Sequence, residues 1–357
     1  MDMLVISLNF RSKMSLWLLK ECYAHPLLIG ALSDSPLIFV DVGAAVGVED
    51  PWCDLISDRK LTKVVAFEPH PDNFQKIKRE PNGDYHQIAI GEKDDSLPFY
   101  LDGTESSLTN RTGNCEHQMV SVRSLQSLRH DGTIPSLDVI KTDAECHDFE
   151  AMMSAGHFLA DETLAIQCEF GFDTVGEPAF REYDAVLSPK GFKLFGLSTQ
   201  RGALGEIMGG NFLYVRDIFS LLDDVADPQH LRVKALKLFA ISISLSNLNY
   251  AYVIARALGE QGILSPDESS ELVRLSTSGR YMPDAYQSSP LRNRIAAALG
   301  NLAHLVVGQD WRAVSSLEAN RLHNYSLLVR KGRADTHLYE YYYNEVKQSH
   351  THSKSAL

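Results

Sequence analysis

Residues 37–47 read Leu37-Ile38-Phe39-Val40-Asp41-Val42-Gly43-Ala44-Ala45-Val46-Gly47, and this stretch constrains the chain more than any other. Four apolar residues run into an aspartate, and small residues follow. A short continuous apolar run is the pattern of a strand buried on both faces, as in a parallel sheet. Gly43 and Gly47 permit a tight turn and a close approach of the backbone to a ligand. The stretch therefore predicts a strand whose carboxyl end carries an acid and a glycine loop. Open α/β sheets bind their ligands at that edge.

The rest of the first 217 residues alternates strand and helix patterns. Strands are expected at Leu37–Val42, Lys63–Phe67, Tyr85–Ile90, Leu137–Asp143, Thr163–Phe170, Phe192–Phe195 and Asn211–Val215. Helices are expected from about Pro51 to Ser57, from Pro71 through Arg79, and over Ser124–His130, His147–Ala155 and Glu177–Leu187. Leu97–Leu101 and Gln118–Val122 read as half-buried strands of an excursion. This alternation implies a doubly wound, mostly parallel, seven-stranded α/β sheet. A Gly-rich loop without a helix joins the last two strands, so the seventh is expected to run antiparallel.

From Ile218 the texture changes to helical periodicity, with candidates at Leu231–Leu245, Tyr250–Gln261, Ser269–Thr277, Leu291–Val307 and Trp311–Leu317. The expected organisation is an N-terminal helical cap over residues 1–36 with a helix around Ser15–Tyr23, the sheet domain over 37–217, an all-α extension over 218–347, and a disordered tail over 348–357. The helical region is also read as a surface through which a homo-oligomer could form. Tyr339 and Tyr341–Tyr343 read as an aromatic helix face docking into a core or interface, with sugar stacking as the sharper alternative.

Composition narrows the function. Of the 46 acidic residues 33 precede Ile218, against 19 of the 34 basic ones, so the sheet domain is strongly acidic. Such a domain is a poor binder of phosphate backbones, which disfavours nucleic acid as a partner. Five scattered cysteines without a C-x-x-C pair fit a reducing, cytoplasmic setting rather than a disulfide framework or a zinc site. His70, His86 and His117 show no metal-ligand spacing, and no metal is expected. No signal peptide is read at the N-terminus, and no stretch approaches the roughly 18 apolar residues of a membrane span.

Two stretches carry chemistry. Glu68 ends the second strand, where a carboxylate can accept the ribose hydroxyls of an adenosine; the plainer reading is a capping or surface glutamate. The backbone N–H groups of residues 43–47 favour a carboxylate or a phosphate, and the extra charge of Asp41 argues for a zwitterion over a pyrophosphate. The second stretch, Asp138 to Glu150, ends a strand in Asp143 with Glu145 and His147 close behind. His147 is a candidate general base for a hydroxyl, and Asp143 or Glu145 is an alternative base or an orienting group. Glu169 ends the fifth strand at the same edge, where binding a substrate and a structural role are both open.

The set Asp41-Val-Gly-Ala-Ala-Val-Gly47, Val65-Ala-Phe-Glu-Pro69, Gln87-Ile-Ala-Ile-Gly91, Ser106-Ser-Leu108 and Ile140-Lys-Thr-Asp-Ala-Glu145 resembles the FkbM family of class I methyltransferases. The resemblance covers roughly residues 37–217. It implies a Rossmann-like class I fold, S-adenosyl-L-methionine as donor, and O-methylation of a sugar, glycan or secondary metabolite, as in polysaccharide biosynthesis. It implies cofactor contacts from Asp41, Gly43, Ala44, Ala45, Gly47, Glu68, Pro69 and Ala89. Asp143, Glu145 and His147 would face the reaction, and Ser107 and Glu169 the acceptor. Two departures stand out: the family usually has glycine where Cys146 stands and often asparagine where Ala45 stands. Two rivals remain. One is an NAD-type oxidoreductase, against which the missing G-x-G-x-x-G counts; the other is a non-catalytic scaffold acting through its helical region.

Overall fold

The computed structural model of the chain describes residues 22–49, 51–102, 106–110, 116–171, 180–201, 207–245 and 247–277, together with Tyr343, Asn344, Lys347, Gln348 and His350. They divide into two compact units. One is Ser35–Arg216; the other joins the chain before Ser35 to the chain from Asp217 onward.

The strands of the first unit are β1 (Leu37–Val42), β2 (Thr62–Phe67), β3 (Gly83–His86), β4 (Ala89–Ile90), β5 (Asp95–Tyr100), β6 (His117–Arg123), β7 (Val139–Thr142), β8 (Ala165–Gly171), β9 (Phe192–Leu197), β10 (Gln200–Arg201) and β11 (Ile207–Arg216). The described helices of the chain are α1 (Pro26–Leu32), α2 (Pro71–Lys76), α3 (Leu125–His130), α4 (Asp148–Met153), α5 (Phe158–Asp161), α6 (Phe180–Leu187), α7 (Ile218–Asp224), α8 (Pro228–Ser244), α9 (Leu248–Glu260) and α10 (Pro266–Thr277).

The main sheet runs β3-β2-β1-β7-β8-β11, and both β9 and β10 pair with β11. β3, β2, β1, β7 and β8 are parallel, whereas β11 is antiparallel to its neighbours. All seven expected strands have a counterpart in it, the third over its first half only, and the two-residue β10 adds a short eighth. β1 and β7 are buried along their whole length, as their apolar runs require. A buried carboxylate aligns them: Asp138 accepts a hydrogen bond from the Ile38 N–H at 2.8 Å.

Three local expectations are corrected. Residues 51–57 form turns and a single 3-10 turn, Leu55–Ser57, not a helix. Asp58 accepts from the Lys60 and Leu61 N–H groups, closing the segment in a side-chain turn before a helix can extend. Tyr85–Ile90 is not one strand. β3 pairs with β2, while β4 leaves that sheet and joins β6 and β5 in a separate three-stranded sheet. The helix expected to reach Arg79 stops at Lys76, because Ile77 turns extended and buries its side chain.

In the second unit α8 is buried almost all round from Lys234 to Ser244, its Leu236, Phe239 and Ile243 as well as Lys234 and Lys237. That is the signature of a core helix rather than a surface one. It packs on α9 and α1, and α9 packs on α10. Tyr343 is buried beside Phe219, with Arg256 and Lys347 near its ring. His350 sits between Asp217 and Asp223 at 3.2 and 2.8 Å. Of the expected helix at 15–23, Cys22 and Tyr23 are described and helical. The expected helices at 291–307 and 311–317, Tyr339, Tyr341, Tyr342 and most of the tail lie outside the described residues. Among the described residues no helix is long and apolar enough to cross a membrane.

The two glycines of the β1 loop are required by the protein's own backbone. Both have positive φ, +78° at Gly43 and +90° at Gly47. A Cβ on Gly43 would lie 1.8 Å from the Asp143 carbonyl oxygen, and one on Gly47 would lie 2.8 Å from that of Lys78. Gly43→Ala is therefore expected to destabilise the sheet unit by about 2 kcal/mol or more, combining backbone strain with a collision against an immobile carbonyl. Chemical denaturation of the full chain measures this, and a loss below about 0.5 kcal/mol, the scale of a harmless surface change, would contradict the crossing.

Candidate active site

Asp41 and Lys141 face each other in register on the adjacent strands β1 and β7, so their side chains share one side of the sheet. The Lys141 ammonium lies 3.2 Å from Asp41 and 3.3 Å from Asp143. Asp41 is 1% exposed and its oxygens make no conventional hydrogen bond, which leaves Lys141 as their charged partner. Burial pushes the Asp41 carboxyl up, and Lys141 opposes that shift. Burial pulls Lys141 down, but the two carboxylates outweigh it and hold the ammonium above its usual range.

Glu68 follows β2 and is buried; its Oε1 accepts from the His70 N–H at 2.7 Å. His70 in turn caps α2, its Nδ1 accepting from Asp72 and Asn73. Burial, with Asp41 adding repulsion against the His70 bond, raises the Glu68 carboxyl to about 7. Glu68 thus serves the start of a helix and also lines a cleft.

That cleft opens at the carboxyl ends of β1, β2 and β7 and encloses about 860 Å³, its open mouth included. Gly43, Ala45, Glu68, Pro69 and Ala89 line one part; Asp143, Glu145 and His147 line another. Asp41 lies beneath, behind Lys141. Ala44 is buried in the turn, its N–H bonded to the Phe67 carbonyl, and Gly47 packs on Lys78. Ser107 is 2% exposed, and its hydroxyl donates to the Glu145 carbonyl; its neighbour Ser106 lines the cleft instead.

Glu169 on β8 joins Asp143 and Glu145, with one carboxylate oxygen from each within 4.8 Å of the others. Burial and the charges of Asp143, Asp148 and Glu145 push Glu169 up to about 8. Three oxygens so placed are, among the described residues, the set with the spacing to hold a hard cation. Asp148, in the first turn of α4, is buried and accepts from the Ala144 N–H at 3.2 Å. Burial and the nearby Asp143 raise it to about 7.

The loop between β7 and α4 carries the backbone strain of the site. Glu145 and Cys146 have φ of +48° and +77°, a region L-residues avoid. The departure noted at Cys146 thus falls at a position whose backbone favours glycine. Sequence reading missed Lys141 as a partner of Asp41, Asp148 as a buried acid, and Thr109, whose Oγ1 lies 2.8 Å from His147 Nε2. Only Lys141 had a legible signal, as the lone cation of the strand that ends in Asp143.

A mostly parallel sheet with flanking helices, its antiparallel β11 between β8 and β9, and a cleft at the β1 glycine loop is the doubly wound, Rossmann-like arrangement that the sequence led one to expect. Residues 41–194 match the family model described as Methyltransferase FkbM domain, the family that the motifs resemble. Among solved structures, the methyltransferase FkbM from Methylobacillus flagellatus KT is 16% identical, with a TM-score of 0.33 over 50% of this chain and 44% of that one. The magnesium protoporphyrin IX methyltransferase ChlM from Synechocystis PCC 6803, with bound SAM, is 10% identical, with a TM-score of 0.31 over 58% of this chain and 79% of that one. An rRNA methylase from Streptococcus thermophilus is 13% identical, with a TM-score of 0.28 over 53% and 92%. This chain thus spans less than half the length of the first of these. Comparison with curated proteins gives no match.

Two outcomes follow from the strained and buried groups. Cys146→Gly should stabilise the fold by about 0.5–1 kcal/mol, because relief of ~1–2 kcal/mol of left-handed strain exceeds the ~0.5–1 kcal/mol of added chain entropy. A lowered denaturation midpoint would contradict it. Asp148 has a folded pKa, about 7, above its ordinary 3.8, so its burial weighs against folding progressively as pH rises between those values. Asp148→Asn keeps an oxygen for the Ala144 N–H. Its stability relative to the wild type should therefore increase across that window, as read by denaturation at a series of pH values.

Proposed function

We propose that Ser35–Arg216 is a methyltransferase domain that uses S-adenosyl-L-methionine to methylate a hydroxyl of a sugar, glycan or secondary metabolite. The observation that carries this is one cleft joining two sets of residues within an FkbM domain. Glu68 and the glycine loop suit a nucleoside, and Asp143, Glu145 and His147 suit a hydroxyl acceptor.

The residues fit such a cofactor. Glu68 has its second carboxylate oxygen to offer to ribose hydroxyls, and Ile88 and Ala89 provide an apolar wall beside it for a base. Val46, exposed on the loop, adds apolar surface at the mouth. The bound cofactor would supply a methyl group on a sulfonium, a leaving group already activated. The protein's part is then to hold two reactants in line and to accept a proton. Lys141 compensates Asp41 and Asp143, so the floor of the cleft is not a bare pair of anions. His147, or a carboxylate beside it, takes the proton as the acceptor oxygen is alkylated. The choice of acceptor class rests on the FkbM resemblance and on carboxylates that match hydroxyl donors. The acidity of the domain supports a non-nucleic-acid substrate.

Calorimetry tests the reading. S-adenosylhomocysteine should bind and NAD should not; the reverse would replace the methyltransferase with an oxidoreductase, and binding of neither would favour a scaffold. Glu68→Ala should weaken S-adenosylhomocysteine by about 1.5–3 kcal/mol for each charged hydrogen bond lost. Because Glu68 protonates near pH 7, wild-type affinity should decline as pH falls below that value. Glu68→Gln should be weaker throughout and flat over the same range. A parallel decline in the Gln variant would remove Glu68 from the role.

A further inference from the structure

The acceptor side of the cleft depends on a loop that cannot hold its shape by local preference. Glu145 and Cys146 occupy the left-handed region, which disfavours each by roughly 1–2 kcal/mol. His147 stands at the start of α4, yet its side chain makes no capping hydrogen bond to that helix. Something outside the loop fixes it.

The segment Ser106–Asn110 does so through two hydroxyls. Ser107, buried, donates its Oγ–H to the Glu145 carbonyl, and the same Oγ accepts from the Thr109 N–H at 3.1 Å. Thr109 Oγ1 then meets His147 Nε2 at 2.8 Å. The segment is itself anchored. Ser107 and Tyr100 exchange both backbone hydrogen bonds, at 2.8 and 3.1 Å. Leu108 packs against the small core of Ala89, Phe99, Val120 and Val122. The β4-β6-β5 sheet thus holds the segment that carries two hydroxyls to the β7–α4 loop.

We propose that Ser107 and Thr109 are positioning residues for the acceptor side: Ser107 clamps the Glu145–Cys146 peptide, and Thr109 fixes the orientation of the His147 ring. The role in catalysis rests on the methyltransferase reading; the clamp itself does not.

The test needs no acceptor. Full-length protein carrying isotope-labelled histidine is studied by two-bond proton–nitrogen correlation spectra, with His147→Gln identifying the His147 signals. The wild type should show one set of His147 ring-nitrogen signals. Thr109→Val should shift those signals, and Thr109→Ser should restore them. Ser107→Ala should shift His147 the same way; should it fail to fold, the Val and Ser variants of Thr109 decide alone. Identical His147 signals in wild type and Thr109→Val would overturn the proposal, as would failure of Thr109→Ser to restore them. Calorimetry with S-adenosylhomocysteine is run on the same samples. Loss of binding in the wild type would overturn the methyltransferase reading and leave the His147 orientation result standing; affinity retained in both Thr109 variants, with His147 altered in the Val variant alone, supports the positioning role.

Discussion

The ion triad of Asp41, Lys141 and Asp143 is the interaction on which the site rests. Removing charges from water is expensive, and a buried pair is tolerated only when its partners are well placed. Here strand register supplies the placement, since Asp41 and Lys141 are direct neighbours on β1 and β7. The same pairing brings the end of β7 against the β1 loop. Gly43 lies so close to the Asp143 carbonyl that no side chain fits between them. The charge triad and the glycine contact thus lock two strand ends into one surface.

Around that surface the protein concentrates acidity. Glu68, Asp148 and Glu169 are each raised toward neutrality, all chiefly by burial, with neighbouring carboxylates adding to it. Groups whose protonation changes near neutral pH cluster at functional sites because binding and proton transfer need them there. The strained Glu145–Cys146 backbone belongs to the same region, held from the side by Ser107 and Thr109. Strain stored in this way persists only where surrounding structure over-determines it.

Much of the sheet was legible because burial on both faces leaves an unbroken apolar run. β1 has that pattern, β2, β7 and β8 have it broken by Lys63, by Lys141 and by Gln167 with Glu169, and the ends of all four fell within a few residues of expectation. The antiparallel β11 was legible from a loop with no helix in it. Illegible elements were those governed by competition between short segments. Residues 51–57 yielded to the Asp58 turn, and Tyr85–Ile90 split because its second half found a partner in β6. Ser107 was identified as a residue near the acceptor, but its buried hydroxyl serves the Glu145 carbonyl, a contact 38 positions away in the chain.

The sequence alone determined the fold class, the position of the nucleoside-type loop, and which acids end which strands. These follow from local pattern, because the two-residue period and the apolar runs are written along the chain. Tertiary structure decided which of those acids crowd together, which two are paired with Lys141, and which hydroxyl meets His147. Those properties depend on distances between residues remote in sequence and on the loss of water around them, and neither is encoded in any single stretch.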